Sequence, residues 1–456
     1  MKKILLITFL LICISAHAQC WEKISSGERH NIGIKTDGSL WGWGYNGTYG
    51  AIGNGNDFTL PSPVQIGTGT DWNEVCSGTV NSFAIKQNGT LWGWGANNFG
   101  QLGNGSSSQY SLVPVQIGTG LWKVVKTGYH HTVAIKADGT LWAWGNNESA
   151  TIGDGTFINK SVPTMINAST NWKTIDCNNT RNIAIKEDGT LWVWGLNAPI
   201  LGVTGMGSGT SYITVPTQVG TDTNWKEAVA GMGHFLALKN DNTLWAWGGG
   251  GQGKLGTGST ATIGFPTQIG TDTNWASIAA DAQSSFGIKT DGTFWAWGQN
   301  IFGQLGNNSQ INLLVPTQIT TATDWKAVAS SINTTVALKT DGSLFTWGSN
   351  QFGTLGNGTF VDSLIPLLIN ACNLNTSEFD KNQKIDLYPN PVQNHLFIKI
   401  KEVQKYQIFS ILGAKISEGT LAVGSGIDCS NFTSGVYFIS LTDNFGNVST
   451  AKFVKE

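Results

Sequence analysis

Charge is scarce in this 456-residue chain: Asp, Glu, Lys and Arg together make up 12% of it, against about 25% in an ordinary soluble protein. Neither sign prevails, with 27 Lys and Arg against 29 Asp and Glu. That balance excludes a basic nucleic-acid binder and a polybasic membrane-surface protein. Long apolar runs are missing too. The one candidate, Ile4 to Ile14, follows Lys2 and Lys3 and precedes Ala16-His17-Ala18. It is too short to span a bilayer and reads as the core of a secretory signal peptide, residues 1–18. No other stretch is long and apolar enough for a transmembrane segment, so none is expected. Cysteine is sparse as well. Cys13 leaves with the signal, and Cys20, Cys76, Cys177, Cys372 and Cys429 remain. Their odd number and lack of ligand spacing give zinc no support. Cys76 and Cys177 read as small buried residues. No metal and no cofactor is expected.

In excess are glycine, with 59 residues, and tryptophan, with 20. Aromatics at 11% with so little charge exclude a mainly disordered chain. The tryptophans follow a repeat. Trp21, Trp72, Trp122, Trp172, Trp225, Trp275 and Trp325 open similar segments, spaced 51, 50, 50, 53, 50 and 50 residues apart. About twenty residues after each opener comes Trp-x-Trp, from Trp41/Trp43 to Trp295/Trp297, with Phe345/Trp347 in the last unit. Within a unit the punctuation is that of strands. After Trp122 come Val124 and Val125, Gly128, an alternating run to Lys136, Asp138-Gly139, and Leu141 to Gly145. Asp-Gly between two short alternating runs signals a two-residue hairpin, whose central residues need positive φ. Asp241-Asn242 serves in the fifth unit. A Gly-rich loop then leads to Pro-x-Gln-Ile, as at Pro114 to Ile117. Four short strands per unit, A to D, repeated at this period, predict propeller blades.

The pattern Asp-Gly-x-Leu-Trp-x-Trp-Gly-x-Asn-x-x-Gly-Gln-Leu-Gly-Asn-Gly is nearly complete at Asn88 to Gly105 and Asp291 to Asn307. It resembles the regulator of chromosome condensation repeat family, over residues 21 to about 370, and implies a seven-bladed β-propeller. Unit four departs from it: Pro199 and Leu201-Gly202 displace the usual glycines, and the unit is longer. A closed ring brings its ends together, so Cys20, before the first opener, and Cys372, after the last D segment, are expected to form a disulfide.

Beyond Cys372 the texture changes and tryptophan disappears. Tyr388-Pro389-Asn390-Pro391-Val392, Ile408 to Gly413, Gly435-Val436-Tyr437-Phe438 and Lys452 to Lys455 occur in that order. Together they resemble the C-terminal sorting domain of type IX secretion cargo, with Tyr388, Pro389, Asn390, Pro391, Gly413, Gly435 and Tyr437 as its motif residues. The resemblance implies engagement of that secretion machinery, passage through the outer membrane, and removal of the domain with release or surface attachment. The chain thus divides into a signal peptide (1–18), a propeller (19–372), a linker (373–383) and a sorting domain (384–456). The fold class is all-β: a seven-bladed β-propeller followed by a small β-sandwich C-terminal domain.

Chemistry is thinner than architecture. The Trp-x-Trp rings share one face of strand C and read as packing between blades, each burying about 200 Å², up to about 5 kcal/mol. A photoreceptor branch of the family uses a Gly-Trp-Arg-His-Thr motif. The nearest match, Gly128-Tyr129-His130-His131-Thr132, lacks that tryptophan, which speaks against light sensing. Strands alternate in direction within a blade, so A–B turns and C–D loops share one face, and sequence variety is concentrated there. Candidate binding residues on its turns are Arg29, His30, Asn81, Tyr129, His130, Arg181, Met232, His234, Gln283 and Asn333. The C–D loops add Phe58, Tyr110, Phe157, Tyr212, Phe265 and Phe360. His30, His131 and His234 share one repeat position and read as structural hydrogen-bonding residues. Glu28 and Asp281 are the only carboxylates of the turns and lie in nonadjacent blades, a poor basis for acid–base catalysis. No P-loop, Ser-His-Asp order or Cys–His pair has a supporting context. The sequence therefore predicts a secreted or cell-surface, monomeric binding module for an extracellular protein or polysaccharide, with no catalytic residues. The alternatives are a glycan-active enzyme and, less favoured in an exported chain, nucleotide exchange on a small GTPase.

Overall fold

The computed structural model describes residues 20–106, 108–197, 204–207, 210–370, 387–399, 404–410, 415–442 and 448–456. The chain divides into two compact units, Met1–Asn373 and Leu374–Glu456. Among the described residues the structure is all-β, with one 3-10 turn at Gly251–Gly253. No helix there is long and apolar enough to cross a membrane.

The first blade sets the pattern. Strands β1 (Trp21–Ser26), β2 (His30–Lys35), β3 (Leu40–Gly44) and β4 (Leu60–Gln65) form one antiparallel sheet in chain order. They serve as A, B, C and D. The B–C turn at Asp37-Gly38 needs a left-handed residue, and Gly38 has φ 75°. In the fifth unit Asn242 fills that role at φ 61°. Asp138 adds a local clamp in the third unit, its Oδ1 accepting the Thr140 N–H at 3.0 Å.

All seven units repeat this order, with one merger. Tyr110–Thr127 is a single strand that serves as D of blade two and then A of blade three. The connector between Ile117 and Trp122 is one residue shorter than that between Ile66 and Trp72, and the strand runs through it with a register shift, Gln116 pairing with Trp92 and Leu121 with Thr90. Among the described residues ring closure exchanges no strand. Blade seven is built from Trp325 to Asn370 alone, and meets blade one through Trp21 N–H to Gly342 O (3.1 Å) and Gly358 N–H to Pro61 O (2.8 Å). Cys20, at the start of the ring, is disulfide-bonded. Its expected partner Cys372 and the expected linker 373–383 lie outside the described residues. Cys76, Cys177 and Cys429 are free and buried.

The blades are joined by tryptophan. The second ring of each Trp-x-Trp is wholly enclosed, and in blades two, three and four Trp94, Trp144 and Trp194 donate Nε1–H to Ala51, Gln101 and Thr151 O of the preceding blade, at 2.8–3.0 Å. The first ring is half-buried and carries a lysine on its face. Lys136 Nζ sits 3.5 Å from the Trp142 ring centre and Lys289 Nζ 3.7 Å from that of Trp295. The tryptophans are thus framework, as their position on strand C implies.

The C-terminal unit is a small sandwich. One sheet pairs Leu387–Tyr388, His395–Ile398 and Gly426–Asp428; the other holds Gln404–Ser410, Lys415–Leu421, Gly435–Thr442 and Val448–Lys455. Their common core includes Val392, Leu396, Ile408, Tyr437 and Phe453. Asn390 ties the motif to the terminal strand, its Oδ1 accepting Val454 N–H at 2.8 Å. Tyr437 Oη donates to Thr433 O at 2.8 Å. Gly413 lies outside the described residues.

Candidate functional site

The start of strand B pairs with the end of strand C, as in His30 with Gly44, and Tyr45 N–H bonds Arg29 O at 2.8 Å. The A–B turns and the loops leaving strand C therefore open on one face. The seven A strands surround a central cavity of about 640 Å³, and the turns Gly27–Glu28, Gly128–Tyr129 and Asp281–Ala282 are at its lining.

Six of the ten candidate turn residues reach this surface. Arg29 is exposed, its guanidinium 4.9 Å from the Phe352 ring centre and 5.9 Å from that of Tyr45. Tyr129 and Met232 are 46% and 43% exposed. His130, half-buried, packs between Tyr129 and Phe99, with ring centres 4.1 and 4.6 Å away, and burial lowers its pKa. Gln283 and Asn333 are half-buried.

The other four, His30, Asn81, Arg181 and His234, are buried and offer a partner almost no surface, which corrects their assignment to the face. Each is the first residue of strand B, and that position points into the seam between blades. His30 Nε2–H donates to Ser82 Oγ at 2.7 Å, whose own hydrogen goes to Ala51 O at 2.8 Å. His131 and Asn182 do the same at 2.8 Å, with Asn182 Nδ2 donating to Thr151 O at 2.9 Å. His234 and Ser285 repeat it at 3.0 and 2.7 Å. Burial holds His30 and His131 neutral, with pKa lowered to about 4.

Around the turns stand the loop aromatics. Phe58, Phe265 and Phe360 are 71%, 60% and 55% exposed. Phe157 meets Tyr212 edge to face at 5.3 Å, and Tyr110 lies 6.5 Å from Tyr49.

Sequence reasoning named Asp281 but missed the rest of the charged wall of the cavity, Lys126, Asp176 and Glu227. Lys126 and Asp176 pair at 3.5 Å between blades three and four, and Asp176 holds the ammonium charged. Asp176 Oδ2 also accepts Ala230 N–H of blade five at 2.9 Å. Glu227 Oε1 accepts Ile278 N–H of blade six at 3.3 Å, and burial pushes its pKa up to about 7. Asp281 accepts Gln283 and Ser284 N–H at 2.8 Å and Ser330 Oγ–H at 2.7 Å; burial outweighs these bonds and raises it to about 7. These carboxyls mostly stitch one blade to the next. The available signal was a charged residue on strand A: Lys126 and Asp176 where Ala279 and Ala329 stand in other units, and Glu227 where Ser277 and Ala327 stand. Lys254, on the fifth C–D loop, was missed as well; it is buried and donates to Met232 O and Gln283 Oε1, both at 2.9 Å. Among the described residues no group of three or more His, Cys, Asp or Glu side chains is placed to hold a metal ion.

Comparison with known proteins bears on the architecture. A family described as regulator of chromosome condensation (RCC1) repeat matches residues 88–135, 138–185, 241–288, 291–338 and 341–380. A second description of the same repeat matches 21–51, 73–101, 122–150 and 325–354. Residues 386–456 match a secretion system C-terminal sorting domain. The ultraviolet-B receptor UVR8 of Arabidopsis thaliana is 37% identical over 87 residues, 19% of this chain and 20% of that protein. The probable E3 ubiquitin-protein ligase HERC3 of Homo sapiens is 36% identical over 84 residues, 18% of this chain and 8% of that protein. The chain thus aligns with about a fifth or less of these curated relatives. Among solved structures, Prp20p of Saccharomyces cerevisiae superposes with a TM-score of 0.65 at 18% identity, covering 91% of this chain and 94% of that one. Human WBSCR16 gives 0.64 at 18% identity, covering 73% and 94%. At such identity these neighbours speak for the fold alone.

Proposed function

Because the chain belongs to the regulator of chromosome condensation repeat family and ends in a sorting domain for export to the cell surface or extracellular space, we propose that it is a recognition module for an extracellular protein or polysaccharide. The partner would dock on the face of A–B turns and C–D loops. One observation carries this reading. Exposed Arg29, Tyr129 and Met232 stand on the turns, and exposed Phe58, Phe265 and Phe360 on the loops, of an otherwise regular scaffold. Large exposed aromatics on one face are costly to leave in water and mark interaction surfaces. The opposite face carries the uniform Asp-Gly turns.

The test is a pull-down from envelope and culture extracts with the exported chain, beside a variant in which Arg29, Tyr129, Met232, Gln283 and Asn333 become Gly or Ser. A macromolecule retained by the parent and lost by the variant supports the reading; identical retention by both overturns it.

A glycan-active enzyme is the second reading, favoured by Glu227 and Asp281, two carboxyls near neutrality at the cavity. Their hydrogen bonds to neighbouring blades speak for a structural role. Turnover on a polysaccharide panel that disappears in Glu227→Gln or Asp281→Asn would revive it. Exchange activity on a small GTPase fits poorly with export.

A further inference from the structure

Six of the seven blade seams close alike, with the second residue of strand B donating from a polar side chain to a loop carbonyl of the preceding blade. The seam between blades four and five does not. There the second residue is Phe235, stacked on Trp247 with ring centres 5.5 Å apart, and Trp247 Nε1 has no hydrogen-bond partner among the described residues. Across from it Arg181 takes the place that histidine holds at three other seams. Those histidines each find a Ser or Asn of the next blade. A phenyl ring offers Arg181 no acceptor.

Arg181 is 7% exposed and its Nε is unpartnered, and no carboxylate pairs with it among the described residues. Burial with no compensating charge lowers its pKa to about 10. Lys254, 5% exposed, is lowered to about 8 by burial, against the pull of Asp281 and with a smaller push from the charge of Arg181. The groups Lys254 bonds, Met232 O and Gln283 Oε1, are neutral. Asp281 is already taken by two backbone N–H groups and Ser330. Two enclosed cations with so little negative charge are costly unless something anionic joins them.

We infer that this seam is a binding site for a compact oxyanion, held by the guanidinium of Arg181 through its unpartnered Nε–H, with Lys254 contributing charge. A guanidinium edge presents two parallel donors that match the two oxygens of a carboxylate, and sulfate and phosphate offer the same pair. On an exported chain the carboxylate of an acidic sugar is the group of this chemistry that fits a polysaccharide partner. The site draws on the recognition reading only for that choice of ligand, and free anions test it apart from any pull-down.

The exported chain is titrated with sodium glucuronate, phosphate and sulfate at fixed ionic strength, with chloride as the control. Calorimetry and the unfolding midpoint are the readouts. Saturable single-site binding of at least one oxyanion is expected by calorimetry, with an unfolding midpoint that keeps rising with the logarithm of anion concentration above its Kd. Arg181→Gln should weaken it about tenfold or more, Arg181→Lys less, and Lys326→Gln, at an exposed lysine of blade seven, not at all. Preference among the three names the source: an acidic sugar for glucuronate, a phosphorylated or sulfated group for the others. No binding beyond chloride, or equal binding by Arg181→Gln, overturns the site. Should Arg181→Gln fail to fold, Lys254→Gln takes its place under the same criteria.

Discussion

Trp94 donates its indole N–H to the carbonyl oxygen of Ala51 in the preceding blade at 2.9 Å, and the same oxygen accepts the Ser82 hydroxyl at 2.8 Å. One buried carbonyl thus gathers two donors from the next blade, and His30 reaches it through Ser82. Six of the seven blades present this acceptor, on a loop whose shape depends on glycine. Gly53 has φ 88°, and a Cβ there would meet Trp94 Nε1 at 2.5 Å. The scaffold is therefore rigid where the repeat is strict, and variety is left to the turns and loop tips.

Trp94→Phe keeps most of the buried area and removes the donor. A loss of about 1 kcal/mol is expected, against about 3–5 kcal/mol for Trp94→Ala. Trp247 has no such bond to lose, so Trp247→Phe should cost less than Trp94→Phe. Urea unfolding midpoints of the variants compare them directly.

Acid acts on this fold in two opposing ways. His30 and His131, lowered to about 4 from 6.5, refuse protons that the unfolded chain accepts, so their contribution is lost as pH falls through that window. Asp281, raised to about 7 from 3.8, does the reverse: the folded chain takes its proton first, and that contribution is present at low pH and lost as pH rises through 7. Stability curves between pH 4 and 8 should therefore show His131→Gln flattening the acid loss. Asp281→Asn should become relatively more favourable as pH rises. Unchanged slopes in both variants would contradict these assignments.

Cys20 is disulfide-bonded, and a Cys20–Cys372 clasp would close a loop around the entire ring. Peptide mapping should recover those two cysteines in one linked peptide and the other exported cysteines as free thiols. Cys20→Ser should lower stability by up to about 5 kcal/mol.

Asn390 joins the Tyr388–Pro391 segment to Val454 on the last strand. Deleting residues 384–456 should leave the propeller inside the outer membrane. Asn390→Ala should reduce the exported fraction rather than abolish it, since Val392 N–H still bonds Val454 O at 2.7 Å. Immunoblots of periplasm and culture medium separate these outcomes.

The blades were legible because their signals are local: Asp-Gly at each hairpin, alternation along strands B and C, and tryptophan at fixed offsets. The sorting unit was legible from motif order. The binding face was only partly so. His30, Asn81, Arg181 and His234 look like turn residues by position, yet each begins strand B, and its register opposite the strand C glycine turns it into the seam. Lys126, Asp176 and Glu227 were invisible as a set because they come from three blades and meet only once strand A is known to be innermost. Phe235 and Arg181 break the seam pattern in different units, so their mismatch emerges only when the blades are placed side by side.

The decisive measurement is hydrogen exchange on the exported chain with and without the partner it retains. Protection confined to the A–B turns around Arg29, Tyr129 and Met232, and to the C–D loops around Phe58, Phe265 and Phe360, is the expected result. Protection at the Asp-Gly turns of the opposite face, or along the outer D strands with the turns unchanged, would contradict recognition through this face.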